Sequence, residues 1–215
     1  MLTIYGRDNS FNVQKVLWFV GELGVECRHV PLGGSFGGTG TPEFLAKNPH
    51  GKVPLIEDGE DIVWESHAIL RYLADRYGRP NFWSDDPGAR AAADQWMEWC
   101  QCQIMRHFVD GVFWGFYRTP EAERDTSRVA ASIERSNELY GFLDRFIADK
   151  RYLLGDGLSL ADIAIGATLY RYFNVGIPRP AMPNLERWYA ALQTRPAYRT
   201  HVMLPFDDLL GRLAF

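Results

Sequence analysis

The spacing of apolar residues changes character several times within the first eighty positions. Leu2 and Ile4 alternate with Thr3 and Tyr5, which predicts a strand over residues 2–5. Val13, Val16, Leu17, Val20 and Leu23 then recur at helical spacing until Gly24 ends the run. Residues 26–32 read as a second strand, and a strand–helix–strand order requires parallel pairing with a right-handed crossover. The glycine-rich stretch 33–40 makes a loop, and Thr41-Pro42-Glu43 opens a short helix with a capping hydroxyl followed by proline in the first turn. Residues 53–57, the turn Asp58-Gly59 and residues 61–64 form a predicted hairpin, and a helix is predicted over 66–77. The order β-α-β-α-β-β-α is that of a thioredoxin-like domain.

From residue 88 to about 203 the pattern is helix after helix. A stretch rich in aromatics (Trp96, Trp99, Phe108, Phe113, Trp114, Phe116, Tyr117) stops at Pro120, and an amphipathic helix is expected over 121–149. Ser159, with an acid three residues later at Asp162, marks a helix start before Ile163, Ile165 and Leu169. Two further helices fall at 185–192 and 197–203. Between the two patterns, Pro80, Asp85, Asp86, Pro87 and Gly88 surround the aromatic anchors Phe82 and Trp83, which suits a linker. The expected organisation is therefore α/β plus all-α: a thioredoxin-like domain at 1–79, a linker at 80–87 and an all-helical domain at 88–215.

Composition narrows the partners. A chain of 215 residues that is 47% hydrophobic and 23% charged can bury a sizeable core. Its net charge of −4 is scattered, with no basic stripe to neutralise phosphates, which argues against nucleic acid. No apolar run approaches the roughly 20 residues that cross a bilayer, and Met1 to Tyr5 lead into Arg7, Asp8 and Asn9 without the pattern of a secretory signal. The expectation is a cytoplasmic protein without membrane contact. Cys27, Cys100 and Cys102 form no Cys-x-x-Cys motif, and Cys100 and Cys102, two apart on one helix, diverge. His50, His67, His107 and His201 lack metal-ligand spacing, so no metal is expected.

The remaining candidates lie at helix starts. Ser10 follows the first strand and precedes the first helix, so its hydroxyl sits where free amides and the helix dipole favour an anion such as a thiolate. Taken alone it reads as a helix cap. Asn12 offers a second donor to the same atom. A free thiol titrates near 8.5, and lowering that by about two units corresponds to roughly 2.7 kcal/mol of preference for the thiolate. Val53-Pro54 opens a strand at a position where proline withholds an amide from the ladder; with a cis bond there, the Val53 backbone would turn outward to pair with a peptide ligand. Glu65-Ser66 combines a carboxylate, suited to an ammonium, with a hydroxyl at a helix N-terminus, suited to a carboxylate; together they match an α-amino acid. Lys52 adds a point charge for a second carboxylate.

Together these segments resemble the cytosolic glutathione S-transferase family. The resemblance runs through Leu2-Thr3-Ile4-Tyr5-Gly6 with Ser10-x-Asn12-x-x-Lys15-Val16, Asn48-Pro49-His50-Gly51-Lys52-Val53-Pro54, Trp64-Glu65-Ser66-x-Ala68-Ile69-x-x-Tyr72-Leu73, and Leu158-Ser159-Leu160-Ala161-Asp162. It implies a homodimer in which Glu65 and Ser66 hold the γ-glutamyl end of glutathione, Val53 its cysteinyl backbone, and Lys52 with His50 its glycine carboxylate. Ser10 would face the sulfur, assisted by Asn12, as in bacterial members with a Ser-x-Asn site. No cysteine stands at or beside position 10, which disfavours thiol transfer through an enzyme cysteine. Tyr5 is the rival for the sulfur, because other members use a tyrosine near the end of the first strand; Ser10 is preferred. In the family the aromatic helix borders the electrophile pocket, which makes Met105, Phe113, Trp114 and Tyr117 candidates for the wall against a small apolar electrophile. Glutathione-dependent disulfide reduction or dehalogenation, and a non-catalytic binding role for the fold, are the alternative readings.

Overall fold

A computed structural model describes residues 1–213. It divides into two compact units, one formed by residues 1–87 with 197–204, the other by residues 88–196 with 205–213. Residues 197–204, expected within the helical domain, pack with the first unit instead. Tyr198 stands edge-on to the buried Trp18 ring, with centroids 4.8 Å apart, and burial of two large rings outweighs sequence proximity.

The first unit is built on a four-stranded sheet in the order β2-β1-β3-β4. β1 (Leu2–Tyr5) pairs in parallel with β2 (Cys27–Val30) and antiparallel with β3 (Leu55–Asp58), which pairs antiparallel with β4 (Asp61–Trp64). Helix α1 (Phe11–Leu23) makes the β1–β2 crossover and ends at Gly24 in the left-handed conformation. Helix α2 is Pro42–Lys47, and α3 (Ser66–Tyr77) packs beside α1. Leu2, Ile4, Val16, Phe19, Ile56 and Leu73 are among the buried side chains of this core. The third strand begins two residues later than the apolar run suggests, because Pro54 has no amide to donate. Just before the second unit, Phe82 meets Phe19 edge-on at 5.0 Å, and Arg79 pairs with both Asp75 and Asp85.

In the second unit α4 (Pro87–Trp99) leads into a π-helical segment, Cys100–Arg118. Its end is closed by Thr119 N–H donating to the Trp114 carbonyl, five residues back, at 3.1 Å. A Cβ at Gly111 would lie 2.4 Å from Ser132 Oγ, so the bare glycine is what lets α5 (Thr126–Phe146) approach. That helix starts later than expected: one 3₁₀ turn over Glu121–Glu123 precedes it, and Asp125 caps it by accepting from the Arg128 amide at 3.0 Å. Helices α6 (Leu160–Asn174) and α7 (Pro183–Gln193) follow in this unit, while α8 (Pro196–His201) belongs from residue 197 on to the first unit. No helix is long and apolar enough to cross a membrane among the described residues.

Candidate functional site

The first unit brings the N-terminal ends of α1 and α3 together. Ser66 Oγ, at the start of α3, donates to Asn12 Oδ1, in the first turn of α1, at 3.3 Å. The first amides of a helix have no partner within the helix, and the dipole there is positive, so the space the two ends share favours anions. Ser10 occupies the capping position of α1 with extended backbone, yet its side chain makes no capping hydrogen bond. Its hydroxyl is half-buried and remains available to a ligand.

Val53 joins the same region. Gly6, just after β1, has φ +153°, and a Cβ there would stand 2.4 Å from Val13 Cγ2 and 3.2 Å from Val53 Cβ. Only glycine lets the backbone pass between them. Its carbonyl accepts from His29 Nε2 at 2.7 Å and its amide donates to the Val30 carbonyl at 3.0 Å, which pins the turn leading to Ser10. The Val53–Pro54 peptide bond is cis, and Val53 lies outside the ladder, which starts at Leu55. Glu65 holds φ +71° in the capping position of α3, a conformation costing a non-glycine residue about 1–3 kcal/mol. Strain of that kind concentrates at ligand sites. The Glu65 carboxylate is exposed while Ser66 is buried.

Lys52 and His50 are exposed on a loop that the buried Asn48 shapes. Its Nδ2 donates to the Lys52 carbonyl at 2.7 Å, and its Oδ1 accepts from the His50 amide at 3.0 Å. Asn48 shapes the turn while Lys52 keeps its charge in solvent.

Tyr5 is occupied elsewhere. Its hydroxyl donates to Glu57 Oε2 at 3.1 Å, on the side of the sheet facing Lys47, which is itself paired with Glu57. Burial and the neighbouring carboxylate raise the phenol above its ordinary value. A phenol held in that way donates to a carboxylate already present.

Beneath Asn12 lies a pair that the sequence reading left without a role. Lys15 is completely buried, with Nζ 3.1 Å from Asn12 Oδ1 and 3.2 Å from His67 Nε2. Burial, with Lys15 and Arg71 nearby, pushes His67 down to about 2, so the ring is neutral. An ammonium only donates, so Nε2 is the acceptor and the ring proton sits on Nδ1. The available signal was Lys15 three residues after Asn12, on the same helix face.

None of the three cysteines is in a disulfide among the described residues: Cys27 and Cys102 are exposed, and Cys100 is buried with its thiol 3.4 Å from the Ala164 carbonyl. Among the described residues no group of His, Cys, Asp or Glu is arranged to hold a metal ion.

The candidates for the electrophile wall belong to the second unit. Phe113 and Tyr117 are buried and stack at 5.6 Å, both against Phe206, and the Arg171 guanidinium lies 4.7 Å over the Phe113 ring. Trp114 is half-buried beneath the guanidinium of Arg118, 3.9 Å from its ring, and Met105 is also half-buried. Arg118 and Arg171, each 1% exposed, are structural cations that the apolar pattern could not reveal.

Residues 4–81 match the model of the glutathione S-transferase N-terminal domain, and residues 107–196 match that of the glutathione S-transferase C-terminal domain. The chain is 42% identical over 207 residues to glutathione S-transferase GstB of Escherichia coli, covering 95% of this chain and 99% of that one. It is 31% identical to glutathione S-transferase 3 of Zea mays, over 94% of this chain and 93% of that protein. Among solved structures, the theta class glutathione S-transferase of Xanthomonas axonopodis pv. citri, with glutathione bound, superposes with a TM-score of 0.89 at 45% identity, covering 95% of this chain and 98% of that one. These matches lead to one conclusion: the chain belongs to the glutathione S-transferase family.

Proposed function

We propose that this protein is a glutathione transferase that binds glutathione on its N-terminal unit, keeps the thiol ionised, and directs the sulfur onto an electrophilic carbon. The observation that carries the reading is the Ser66–Asn12 hydrogen bond, which unites two helix N-termini into one anion-binding site. In this reading Glu65 receives the γ-glutamyl ammonium, and the amide of Ser66 at the start of α3 receives the α-carboxylate while its hydroxyl stays on Asn12. The Val53 backbone, beside Pro54, pairs with the cysteinyl peptide, and Lys52 with His50 meets the glycine carboxylate. Ser10 and Asn12 donate to the sulfur.

The chemistry then belongs to the bound thiol. Its proton leaves to solvent, the thiolate forms the carbon–sulfur bond, and the leaving group departs with its electron pair. A donor that is stronger toward the charged sulfur than toward the thiol raises the thiolate fraction at neutral pH. The second substrate is a small apolar electrophile held against Met105, Phe113, Trp114 and Tyr117. Phe113 and Tyr117, being buried, shape that wall by packing, while the half-buried Trp114 and Met105 supply its surface. We place the protein in the cytoplasm as a homodimer, with the helical domain supplying specificity.

Retention on immobilised glutathione, release by free glutathione and conjugation of an activated aryl halide are the expected results. A folded protein that neither binds glutathione at millimolar concentration nor conjugates would overturn the reading.

A further inference from the structure

Lys15 is a cation with no exposed surface, and its ammonium meets Asn12, one of the two residues proposed to face the sulfur. A buried ammonium is tolerated only where acceptors meet it. Asn12 Oδ1 from α1 and His67 Nε2 from α3 do so, and Arg71 is the further charge on α3 acting on His67.

We infer that Lys15 is a positioning residue for the thiol: its ammonium fixes the Asn12 amide with the oxygen turned inward, so that Nδ2 is the group presented to the sulfur. The inference rests on the glutathione reading and adds to it the device that orients Asn12. An amide's oxygen and nitrogen are close to isosteric, and the partner decides which way it lies. Ser66 cannot decide, since a hydroxyl both donates and accepts. Lys15 can, because an ammonium has three protons and no lone pair; the reversed amide would set N–H donors against it. With Oδ1 accepting from both Lys15 and Ser66, the two protons on Nδ2 face away from those partners, and Asn12 as a whole is half-buried. A neutral His67 accepting at Nε2 holds the ammonium in place from the α3 side. Without Lys15 the amide is free to turn, and either edge can face the sulfur.

The test is a cycle of Lys15→Met and Asn12→Ala, read by glutathione binding, by ultraviolet titration of the bound thiolate and by kcat/KM. Lys15→Met is expected to raise the thiol's apparent pKa by about one pH unit and to lower kcat/KM about tenfold at neutral pH, as Asn12→Ala does. In the double variant the loss should be no greater than for Asn12→Ala alone, because Lys15 acts through that amide. An unmoved thiol pKa in Lys15→Met, or losses that add in the double variant, would overturn the inference while leaving glutathione binding intact. Wild-type protein that binds no glutathione removes the underlying reading, and the inference with it. Should Lys15→Met fail to fold, Asn12→Asp serves: it keeps an anionic partner for Lys15 and replaces the Nδ2 donor with an oxygen. The thiol pKa should then rise at least as far as in Asn12→Ala, and an unchanged value would sink the proposal.

Discussion

At the scale of single residues, two hydroxyls competed for the sulfur, and their hydrogen bonds separate them. Tyr5 donates its hydroxyl hydrogen bond to Glu57, whereas Ser10 stands at the start of α1 with its hydroxyl unused by the helix. Ser10→Ala is expected to lower turnover with an aryl halide by about 10- to 100-fold, the range of one charge-assisted hydrogen bond. Tyr5→Phe should leave turnover within about twofold and lower stability by about 1 kcal/mol, the value of one ordinary hydrogen bond. Steady-state kinetics and urea unfolding of the two variants check both; a slow Tyr5→Phe enzyme beside a normal Ser10→Ala enzyme would reverse the assignment. Both residues were legible in the sequence as candidates. Their different fates were not, because Glu57 reaches Tyr5 only through β1–β3 pairing.

At the scale of elements, α1 and α3 are joined through two polar contacts, Ser66 with Asn12 and Lys15 with His67. His67 carries a pH dependence that can be worked out. Its folded value of about 2 lies below the ordinary 6.5, so between those values the unfolded chain binds a proton that the folded chain refuses. Stability from this group is therefore present above about pH 6.5 and declines as the solution is acidified, by up to about 1.4 kcal/mol per pH unit. His67→Gln keeps an acceptor for Lys15 and cannot titrate. Wild type should lose stability relative to His67→Gln as the pH is lowered from 7 to 5 in paired urea titrations; parallel curves would mean that His67 is protonated in the native state. The strands and helices were largely readable from periodicity, and their limits were moved by local chemistry: Pro54 delays β3, and the Asp125 cap delays α5.

At the scale of the whole molecule, the chain order and the packing order differ. Residues 197–204 return to α1 in the first unit after the helical stretch has been completed. Within the helical unit, Asp162 ties together segments that are not neighbours in sequence. Its oxygens accept from the Ser159 amide and hydroxyl at 2.9 and 2.5 Å and from the Leu153 amide at 2.9 Å, with no surface exposed. Asp162→Ala is expected to destabilise the fold by about 2–4 kcal/mol, combining a lost cap with a buried unpaired amide. Asp162→Asn, which retains an acceptor, should lose less. Denaturant unfolding of the pair checks this, and equal losses would assign the effect to volume rather than to hydrogen bonding.

By itself the sequence determined the strand–helix alternation, the helical second half, and the helix starts at Ser10, Ser66 and Ser159. Periodicity and capping are local, and local physics decides them. It also supplied the segments whose joint presence marked the family. Tertiary structure decided the rest: that Asn12 meets Ser66, that Tyr5 is held by Glu57, that Lys15 lies buried against His67, and that Phe113 packs over Arg171. Each of these joins residues distant in sequence or depends on which face of a helix is buried. No local pattern encodes such pairings, because their free energy comes from desolvation and hydrogen bonding realised only once the core has closed.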